Sequence, residues 1–365
     1  MSATFDWRPV LAALVAGEDL DAETCRAAMS EIVEGRATSA QIAALVVGLR
    51  AKGETAAEVS GFVTAMLEHA GPVSIEGPAL DVVGTGGDQA NTVNISTIAA
   101  IVAAAAGATV VKHGNRAASS ACGSADVLEA FGVRIDLSGD GVRECVETVG
   151  IGFCFAPVFH PAMRFAGPTR KELGIPTVFN ILGPLSNPAR PAASMLGVAD
   201  RRLAPVMAEV FARRGLSALV VRGEDGLDEV TVGTTSEVWD VTSAAEGVRG
   251  FSVSPVALGL PTYDPADLHG GDARHNADIA RRVLAGDSEG PLAAVRAAVA
   301  MNAAAAMVAW DAACGTARFG TVSLGAEARI AAALPAVVEV LDSGAASRKL
   351  DAWVERSQLA ASRSG

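Results

Sequence analysis

Glycines, hydroxyls and a carboxylate follow the apolar run ALDVVG (79–84). The segment GTGGD (84–88) leads through QANTVNIST (89–97) into an apolar helical stretch. Glycines after a strand let the backbone approach a ligand, and a helix start offers free N–H groups to a phosphate. The segment lacks the third glycine of a dinucleotide fingerprint and the GK[ST] of a Walker loop. We predict a phosphate site here, to which Thr92, Asn94, Ser96 and Thr97 add polar groups. An ordinary strand-to-helix turn is the alternative.

A second polar segment, KHGNRAASSACGS (112–124), follows the apolar run that begins at residue 108. Ligands of open α/β sheets bind at the carboxyl ends of the strands, so both segments should meet at one edge. Lys112 and Arg116 suit an anionic ligand, and Asn115 suits a polar substituent. His113 is a candidate for proton transfer or for orienting the loop. A solvated basic turn is the alternative for the whole segment.

The stretch from 155 to 190 is basic within an acidic protein. It contains Arg164, Arg170, Lys171 and Arg190 against the single acid Glu172, a local charge of +3 (four minus one). Such a charge attracts an anion, and one arginine can bind a carboxylate through two hydrogen bonds. A surface helix with ordinary charges is the alternative.

Two adjacent carboxylates, Asp228 and Glu229, follow the apolar run SALVVRG (217–223). Their place after a strand suits Mg²⁺, which takes one or two carboxylates together with phosphate oxygens and water. An acidic doublet on the surface is the alternative.

The elements that must position these groups change in character near residue 71. Residues 1–70 have helical spacing, with capping boxes at Thr38-x-x-Gln41 and Thr55-x-x-Glu58 and an N-cap at Asp21. Apolar runs at 79–84, 108–114, 150–157 and 217–223 then alternate with helices near 96–107, 125–132, 140–149 and 202–214. This alternation predicts a mainly parallel sheet flanked by helices. SEVWDVT and RGFSVSP are further strands, for which an antiparallel orientation is one possibility, and the last third is helical.

Composition excludes several classes of function. The 365 residues carry 29 Lys+Arg against 41 Asp+Glu, and only 4% are aromatic, so general binding of nucleic acid is disfavoured. The N-terminus shows no secretory signal, and no uncharged stretch is apolar enough to predict a membrane span. The five cysteines form no CxxC pair, which favours a reducing, cytoplasmic setting.

Taken together, the motifs resemble the anthranilate phosphoribosyltransferase family. The matching segments are GTGGD (84–88), NTVNIST (91–97), KHGNRAASS (112–120), HPAM (160–163), RKELG (170–174), FNILGPLSNPARP (179–191), GLDEV (226–230) and NAAAA (302–306). The likeness covers nearly the whole chain in order. It implies transfer of the phosphoribosyl group of 5-phosphoribosyl 1-pyrophosphate (PRPP) to the amine of anthranilate in tryptophan biosynthesis, with release of pyrophosphate.

The resemblance also implies roles for individual residues. The positions implied for PRPP are Gly84, Gly87, Asp88, Thr92, Asn94, Ile95, Ser96, Thr97, Lys112, His113, Gly114, Asn115, Arg116, Ala117, Ala118, Ser119, Ser120 and Ser124. Those implied for anthranilate are Gly84, Asn115 and Arg170, with His160 and Met163 as further candidates. Ser96, Asp228 and Glu229 would serve Mg²⁺, with two ions per subunit. Lys112 and His113 are the catalytic candidates. Members often have SSKSG where this chain has SSACG (119–123), so that lysine is absent here.

The resemblance implies a fold like that of the class II nucleoside phosphorylases and a homodimer formed through the helical domain. We expect a helical domain over 1–72, joined by helices from about 163–190, and an α/β PRPP-binding domain over 73–365. Nucleic acid and membranes are not expected partners. Two other functions remain alternatives: a pyrimidine-nucleoside phosphorylase of the same fold, and a non-catalytic nucleic-acid-binding relative.

Overall fold

The computed structural model describes residues 5–117, 121–243 and 245–363. Its first four helices are α1 (Trp7–Val15), α2 (Ala22–Val33), α3 (Ser39–Lys52) and α4 (Ala56–Glu68). Both predicted capping boxes are confirmed: Thr38 with Gln41 caps α3, and Thr55 with Glu58 caps α4. Asp21 accepts the N–H of Thr24 and caps α2, as predicted. Local hydrogen bonds therefore fix where these helices begin.

Strands from the described part of the chain form one seven-stranded sheet in the order β3-β2-β1-β4-β5-β6-β7. They are β1 (Leu80–Gly84), β2 (Val110–Gly114), β3 (Ile151–Phe155), β4 (Ala193–Gly197), β5 (Ser217–Gly223), β6 (Ser236–Asp240) and β7 (Arg249–Val253). The first five strands are parallel to one another, and β6 runs antiparallel to both of its neighbours, β5 and β7. The predicted mainly parallel sheet with a small helical N-terminal unit is confirmed. Sequence reasoning did not predict β4.

Helices cover both faces of this sheet. The remaining α-helices are α5 (Ile95–Ala105), α6 (Ser124–Phe131), α7 (Gly139–Val149), α8 (Ala156–Phe159), α9 (Gly167–Leu173), α10 (Phe179–Leu185), α11 (Leu203–Arg213), α12 (Ala273–Leu284), α13 (Leu292–Ala313), α14 (Ala326–Asp342) and α15 (Ala345–Arg363). Short 3₁₀ turns span Pro161–Phe165, Val256–Leu258 and Pro265–Leu268.

Alternate residues of the strands point into two apolar cores. Leu80 and Val82 of β1 pack with the C-terminal helices, whereas Val83 packs with α1–α4. Residues of α9 and α10, among them Leu173 and Phe179, share that second core, and so do residues of α11. The segment 167–185 therefore packs with the N-terminal helices beside the sheet edge. The expected division of the chain at residue 72 stays a prediction.

Helix α13 is long and apolar enough to cross a membrane by length and composition alone. In its most apolar 18-residue window, 89% of the residues are buried inside the protein. Its many alanines let the helix lie close against α5 and the sheet, so its apolar character is accounted for by the core.

Strands β1 and β2 are joined at one residue pair, Leu80 with Val110, whereas β2 and β3 are joined at five. Side chains supply hydrogen bonds where this ladder stops. The amide of Asn187 donates to the Val111 carbonyl at 2.7 Å and to the Asp81 carboxylate at 2.8 Å. Asp81 also accepts the backbone N–H of His113 at 3.3 Å. A buried polar network thus lies between the two strands that carry the predicted site.

Asp81 makes the stability of the protein depend on pH. Burial raises the pKa of this carboxyl to about 6, although nearby Lys112 opposes the shift. Because the pKa is raised in the folded state, the stabilising contribution of Asp81 to the free energy of unfolding is fully present below about pH 4. This contribution is lost as pH rises through about 6. The shift corresponds to about 3 kcal/mol. The free energy of unfolding of Asp81→Asn should therefore rise relative to that of the wild type by up to about 3 kcal/mol between pH 4 and 8.

Urea unfolding of both proteins across this pH range measures the difference. If the two free energies of unfolding run parallel with pH, Asp81 does not titrate as described.

Candidate active site

The carboxylates of Asp228 and Glu229 are buried at the carboxyl edge of the sheet, in the loop between β5 and β6, with 8% and 7% exposure. The N–H of Gly86 donates to the Asp228 carboxylate at 2.6 Å. The backbone of Ser96, in the first turn of α5, has a small lowering effect on the pKa of Glu229. Burial and, to a smaller extent, the neighbouring Asp88 together raise the pKa of Asp228 to about 7. Burial and the neighbouring Asp228 raise the pKa of Glu229 well above its usual value. The pair is therefore short of compensating positive charge.

Lys112 is the buried cation of this edge. Its ammonium group donates to the carbonyl of Val82 and, at 3.3 Å, to the hydroxyl of Ser96. Burial lowers its pKa, while Asp81, Glu229 and Asp228 raise it. One ammonium thus faces three buried carboxylates. Its direct contact with a phosphate stays a prediction.

Two opposed glycines let the acidic loop close onto the sheet. Gly84 and Gly197 are register partners at the ends of β1 and β4. A Cβ on Gly197 would lie 1.5 Å from the carbonyl oxygen of Asp228, and one on Gly84 would lie 2.4 Å from its carboxylate. Gly87 favours glycine for a different reason. Its φ of +84° lies in the left-handed region, although a Cβ there would meet only open space.

The residues from 88 to 97 form one continuous wall beside the acidic pair. Thr92 pairs with His269 in an isolated bridge. Asn94 stands at the N-cap position of α5, but its side chain makes no cap bond and instead donates to the Cys122 carbonyl at 3.1 Å. Ile95 and Thr97 are buried, and the Thr97 hydroxyl has no hydrogen-bond partner in the described structure. The start of α5 is thus left without a side-chain cap.

The second predicted segment begins on β2 and ends at α6. His113 is buried, its Nδ1 lies 2.9 Å from the Gly183 carbonyl, and its Nε2 has no partner among the described residues. Burial, with a smaller effect of His160, lowers the pKa of His113 to about 3, so the ring is neutral at pH 7. A general-acid role at neutral pH is therefore disfavoured, and the contact with Gly183 fits the predicted alternative that His113 orients the loop. Gly114 closes β2 and Ser124 opens α6.

Arg116 is engaged away from the acidic pair. Its guanidinium donates to Asp126 at 3.1 Å and to Glu129, and it lies 5.6 Å from the centre of the Phe155 ring. The N–H of Ala117 also donates to Asp126, at 2.9 Å. Asn115 is exposed and its side-chain oxygen accepts the N–H of Arg116. The predicted residues Ala118, Ser119 and Ser120 lie outside the described residues.

A cavity of about 580 Å³ opens beside the end of β1. The residues predicted for anthranilate all line it: Gly84, Asn115, His160, Met163 and Arg170. Apolar side chains form much of the wall, among them those of Val83, Phe179 and Leu182. The cavity therefore suits a small apolar ring that carries an anionic group.

Arg170 is the half-buried cation of this cavity. Its guanidinium lies 5.3 Å from the centre of the Phe179 ring, and no side-chain hydrogen bond or ion pair engages it among residues 5–117, 121–243 and 245–363. Burial lowers its pKa, so an anion that replaces the lost hydration would be favoured. Arg164 also lines the cavity but is exposed and lies over Phe165.

Sequence reasoning missed the side chains that support these groups. Asn187 bridges β1 and β2. Asn276 donates to the side chain of Asn94 at 3.0 Å, and Asn302 binds the backbone of Val230 beside the acidic pair. The available signal was an asparagine within an apolar run, as in NAAAA, but a sequence does not show the distant partner.

Comparison with known proteins places this geometry in a family. Residues 8–70 match the model of the helical bundle domain of a glycosyl transferase family, and residues 76–347 match its a/b domain. The anthranilate phosphoribosyltransferase of Saccharopolyspora erythraea is 56% identical over 351 residues, which cover 96% of each chain. That of Acidothermus cellulolyticus is 57% identical over 357 residues, covering 98% of this chain and 97% of the relative.

Solved structures agree in fold. Anthranilate phosphoribosyltransferase from Thermus thermophilus has a TM-score of 0.84 at 40% identity, covering 95% of this chain and 99% of its own. The enzyme from Saccharomyces cerevisiae in complex with PRPP and Mg has a TM-score of 0.83 at 27% identity, covering 97% and 98%. The same enzyme in complex with 4-fluoroanthranilate has a TM-score of 0.81 at 26% identity over the same shares.

The contact of Gly197 with the acidic loop predicts that Gly197→Ala is destabilising. The added methyl has no space beside the Asp228 carbonyl, so the loop must move, at a cost of about 1–3 kcal/mol or more. Gly250→Ala is the matched control, because Gly250 also lies in a strand and a Cβ there meets nothing within 4 Å. Chemical unfolding of both variants measures the costs. Equal stability of the two would show that Gly197 does not constrain the loop.

Proposed function

The chain belongs to the anthranilate phosphoribosyltransferase family, and we propose that the carboxyl edge of its sheet is where it transfers the phosphoribosyl group of PRPP to the amine of anthranilate. The reaction releases pyrophosphate and belongs to tryptophan biosynthesis. One observation carries the assignment of the site: Gly84 both lines the 580 Å³ cavity and packs against Asp228. The cavity for an aromatic acid and the acidic pair therefore meet at one residue.

Anthranilate is assigned to the cavity by charge and shape. Arg170 would bind its carboxylate, since a guanidinium can donate two parallel hydrogen bonds to such a group. The apolar wall would receive the ring, and the amine would then face the end of β1 near Gly84. His113 also lines this cavity, and its buried Nε2 has no hydrogen-bond partner among the described residues. With a pKa of about 3, His113 is a weak base, so positioning should contribute more than proton transfer.

PRPP is assigned to the walls formed by residues 84–97 and 112–124. An arylamine is a weak nucleophile, so we expect the bond from C1 to the pyrophosphate oxygen to be largely broken before attack. Negative charge then grows on pyrophosphate. The start of α5, which lacks a side-chain cap, and Lys112 would stabilise that charge if the ligand reaches them. The remaining predicted residues of these walls keep their proposed PRPP roles.

The acidic pair fits Mg²⁺. Three buried carboxylates against one ammonium leave a deficit of positive charge that a divalent cation removes, and carboxylate and hydroxyl oxygens are ligands that Mg²⁺ accepts. No group of three or more His, Cys, Asp and Glu side chains able to hold a metal occurs within the described ranges, so phosphate and water oxygens would complete the shell. Asp228, Glu229 and Ser96 would hold the metal, with two ions per subunit. Bound Mg²⁺ supplies charge neutralisation for the departing pyrophosphate.

We also propose a homodimer joined through the helical unit. The family resemblance supports this proposal, and a partner at this unit would cover Val15 and Val47, which are 90% and 40% exposed. Sedimentation of the purified protein measures the mass.

The acidic composition gives no reason to expect nucleic acid or membranes as partners, and the absence of CxxC pairs favours the cytoplasm. Neither a nucleoside phosphorylase nor a nucleic-acid-binding protein is supported as the alternative function.

Anthranilate fluorescence provides the test of the reaction. We expect the signal to fall only when PRPP and Mg²⁺ are both present, with pyrophosphate released in equal amount. Phosphate-dependent cleavage of a pyrimidine nucleoside without any loss of anthranilate would overturn the assignment.

Arg170→Ala should weaken the use of anthranilate selectively. A hydrogen bond to a charged group contributes roughly 1.5–3 kcal/mol, so kcat/KM for anthranilate should fall by about 10- to 150-fold. The KM for PRPP should change far less, because its phosphates are assigned to other walls. Steady-state kinetics with each substrate varied in turn measures both.

Arg164→Ala is the control for this prediction, because Arg164 carries the same charge in the same cavity but is exposed. Equal losses in the two variants would mean general attraction of the anion. A rise only in the KM for PRPP in Arg170→Ala would place Arg170 at the other substrate.

A further inference from the structure

Asn302 is a fully buried polar side chain in the middle of the apolar helix α13. Its Oδ1 accepts the N–H of Val230 at 2.9 Å. Its Nδ2 donates to the carbonyl of Val230 at 3.0 Å and to that of Ala298 at 2.8 Å. The side-chain amide thus pairs with both backbone polar groups of one residue, as a neighbouring strand would.

The paired residue belongs to a segment without regular secondary structure. Residues 224–235, between β5 and β6, contain only turns and bends. Val230 is the next residue after Glu229 and the second after Asp228, and it is itself 1% exposed. A shift of the backbone at Val230 would therefore move both carboxylates. The amide of Asn302 ties that backbone to a long helix of the core.

Packing alone does not explain an asparagine at this position. Its neighbours along the helix, Met301 and Ala303, are apolar and fully buried, so an apolar side chain would suit these surroundings. Burial of an amide costs free energy unless its groups are hydrogen-bonded. In this protein two of the three bonds are made to the acidic loop, so the amide acts on the loop rather than on its own helix.

We propose that Asn302 is a positioning residue for the Asp228–Glu229 pair, which it holds in the arrangement that binds the metal together with PRPP. The inference rests on the proposed function of that pair. Asn302 touches neither substrate in this account: it acts through Val230. Supporting residues of metal sites typically change metal affinity by roughly 10- to 100-fold when they are replaced.

Asn302→Leu tests this role, because leucine keeps the branch point at Cγ, suits the apolar surroundings and removes both bonds to Val230. We expect about a tenfold or larger rise in the Mg²⁺ concentration that gives half-maximal activity. Calorimetric titration of PRPP in the presence of Mg²⁺, without anthranilate, should show binding weakened to a similar degree. The KM for anthranilate should stay within about twofold of the wild type, because the cavity with Arg170 does not contact α13.

Asn276→Leu is the matched control. Asn276 is also a buried asparagine, but it binds the side chain of Asn94 and, at 2.7 Å, the N–H of Gly271. Its replacement should raise the KM for PRPP at saturating Mg²⁺ without a comparable change in the Mg²⁺ requirement. If both variants shift the Mg²⁺ requirement equally, or if Asn302→Leu lowers only the free energy of unfolding, Asn302 has no specific role at the acidic pair.

Asn302→Ala keeps the experiment decisive if the leucine variant does not fold. Alanine suits the helix and adds no bulk, but it can neither accept the N–H of Val230 nor donate to its carbonyl, so the Mg²⁺ requirement should still rise. An unchanged requirement in this folded variant overturns the proposal. A wild-type protein that forms no product from anthranilate and PRPP would instead overturn the function, whatever the variants show.

Discussion

The carboxyl edge of the sheet buries more negative charge than the protein itself compensates. Asp81, Asp228 and Glu229 lie around one ammonium group, that of Lys112. Burial of charge is costly, and the raised pKa values of these carboxyls are the direct expression of that cost. The proposed function accounts for this cost, since a divalent cation and an anionic substrate would complete the site together. The glycine-rich turn, the loop after β5 and the start of α5 are all arranged around this deficit.

Close approach of backbones makes such burial possible. Gly84 and Gly197 have no side chains to keep the 224–235 loop away from the sheet edge, and the Asn302 amide pairs with the backbone of that loop at Val230. The cavity with Arg170 begins where this arrangement ends, at Gly84. In the proposed function the two substrates would meet at Gly84, with PRPP beside the acidic pair and anthranilate against the apolar wall that carries the half-buried Arg170.

The sequence predicted the parts of this arrangement that depend on local chemistry. Capping residues at Thr38 and Thr55 and the apolar runs of β1, β2, β3 and β5 correspond to elements in the structure. Strand β4 was missed because its five residues begin with alanine and serine and give a weak strand signal. The sheet order then places β4 beside β1, which is a non-local pairing that no run of residues announces.

The sequence also could not predict which partners, distant along the chain, the charged side chains would contact. Lys112 was predicted as a phosphate contact from its charge and from the family resemblance, and that contact stays a prediction. The sequence did not show that Lys112 also binds the carbonyl of Val82 and faces the buried carboxylates. Arg116 was assigned in the same way, and its partners are Asp126 and Glu129 on α6. The charge of a residue indicates which groups it can bind, but the fold determines which of those groups lie in contact with it.

Anomalous diffraction from crystals grown with Mn²⁺ and PRPP tests the central claim most directly, because Mn²⁺ accepts the same oxygen ligands as Mg²⁺ and can be located by its own signal. The account predicts an anomalous peak within bonding distance of the Asp228 or Glu229 carboxylate, at the start of α5. Mn²⁺ bound elsewhere on the protein, or to PRPP with neither of these carboxylates coordinating it, would contradict the claim that this buried charge deficit builds the site.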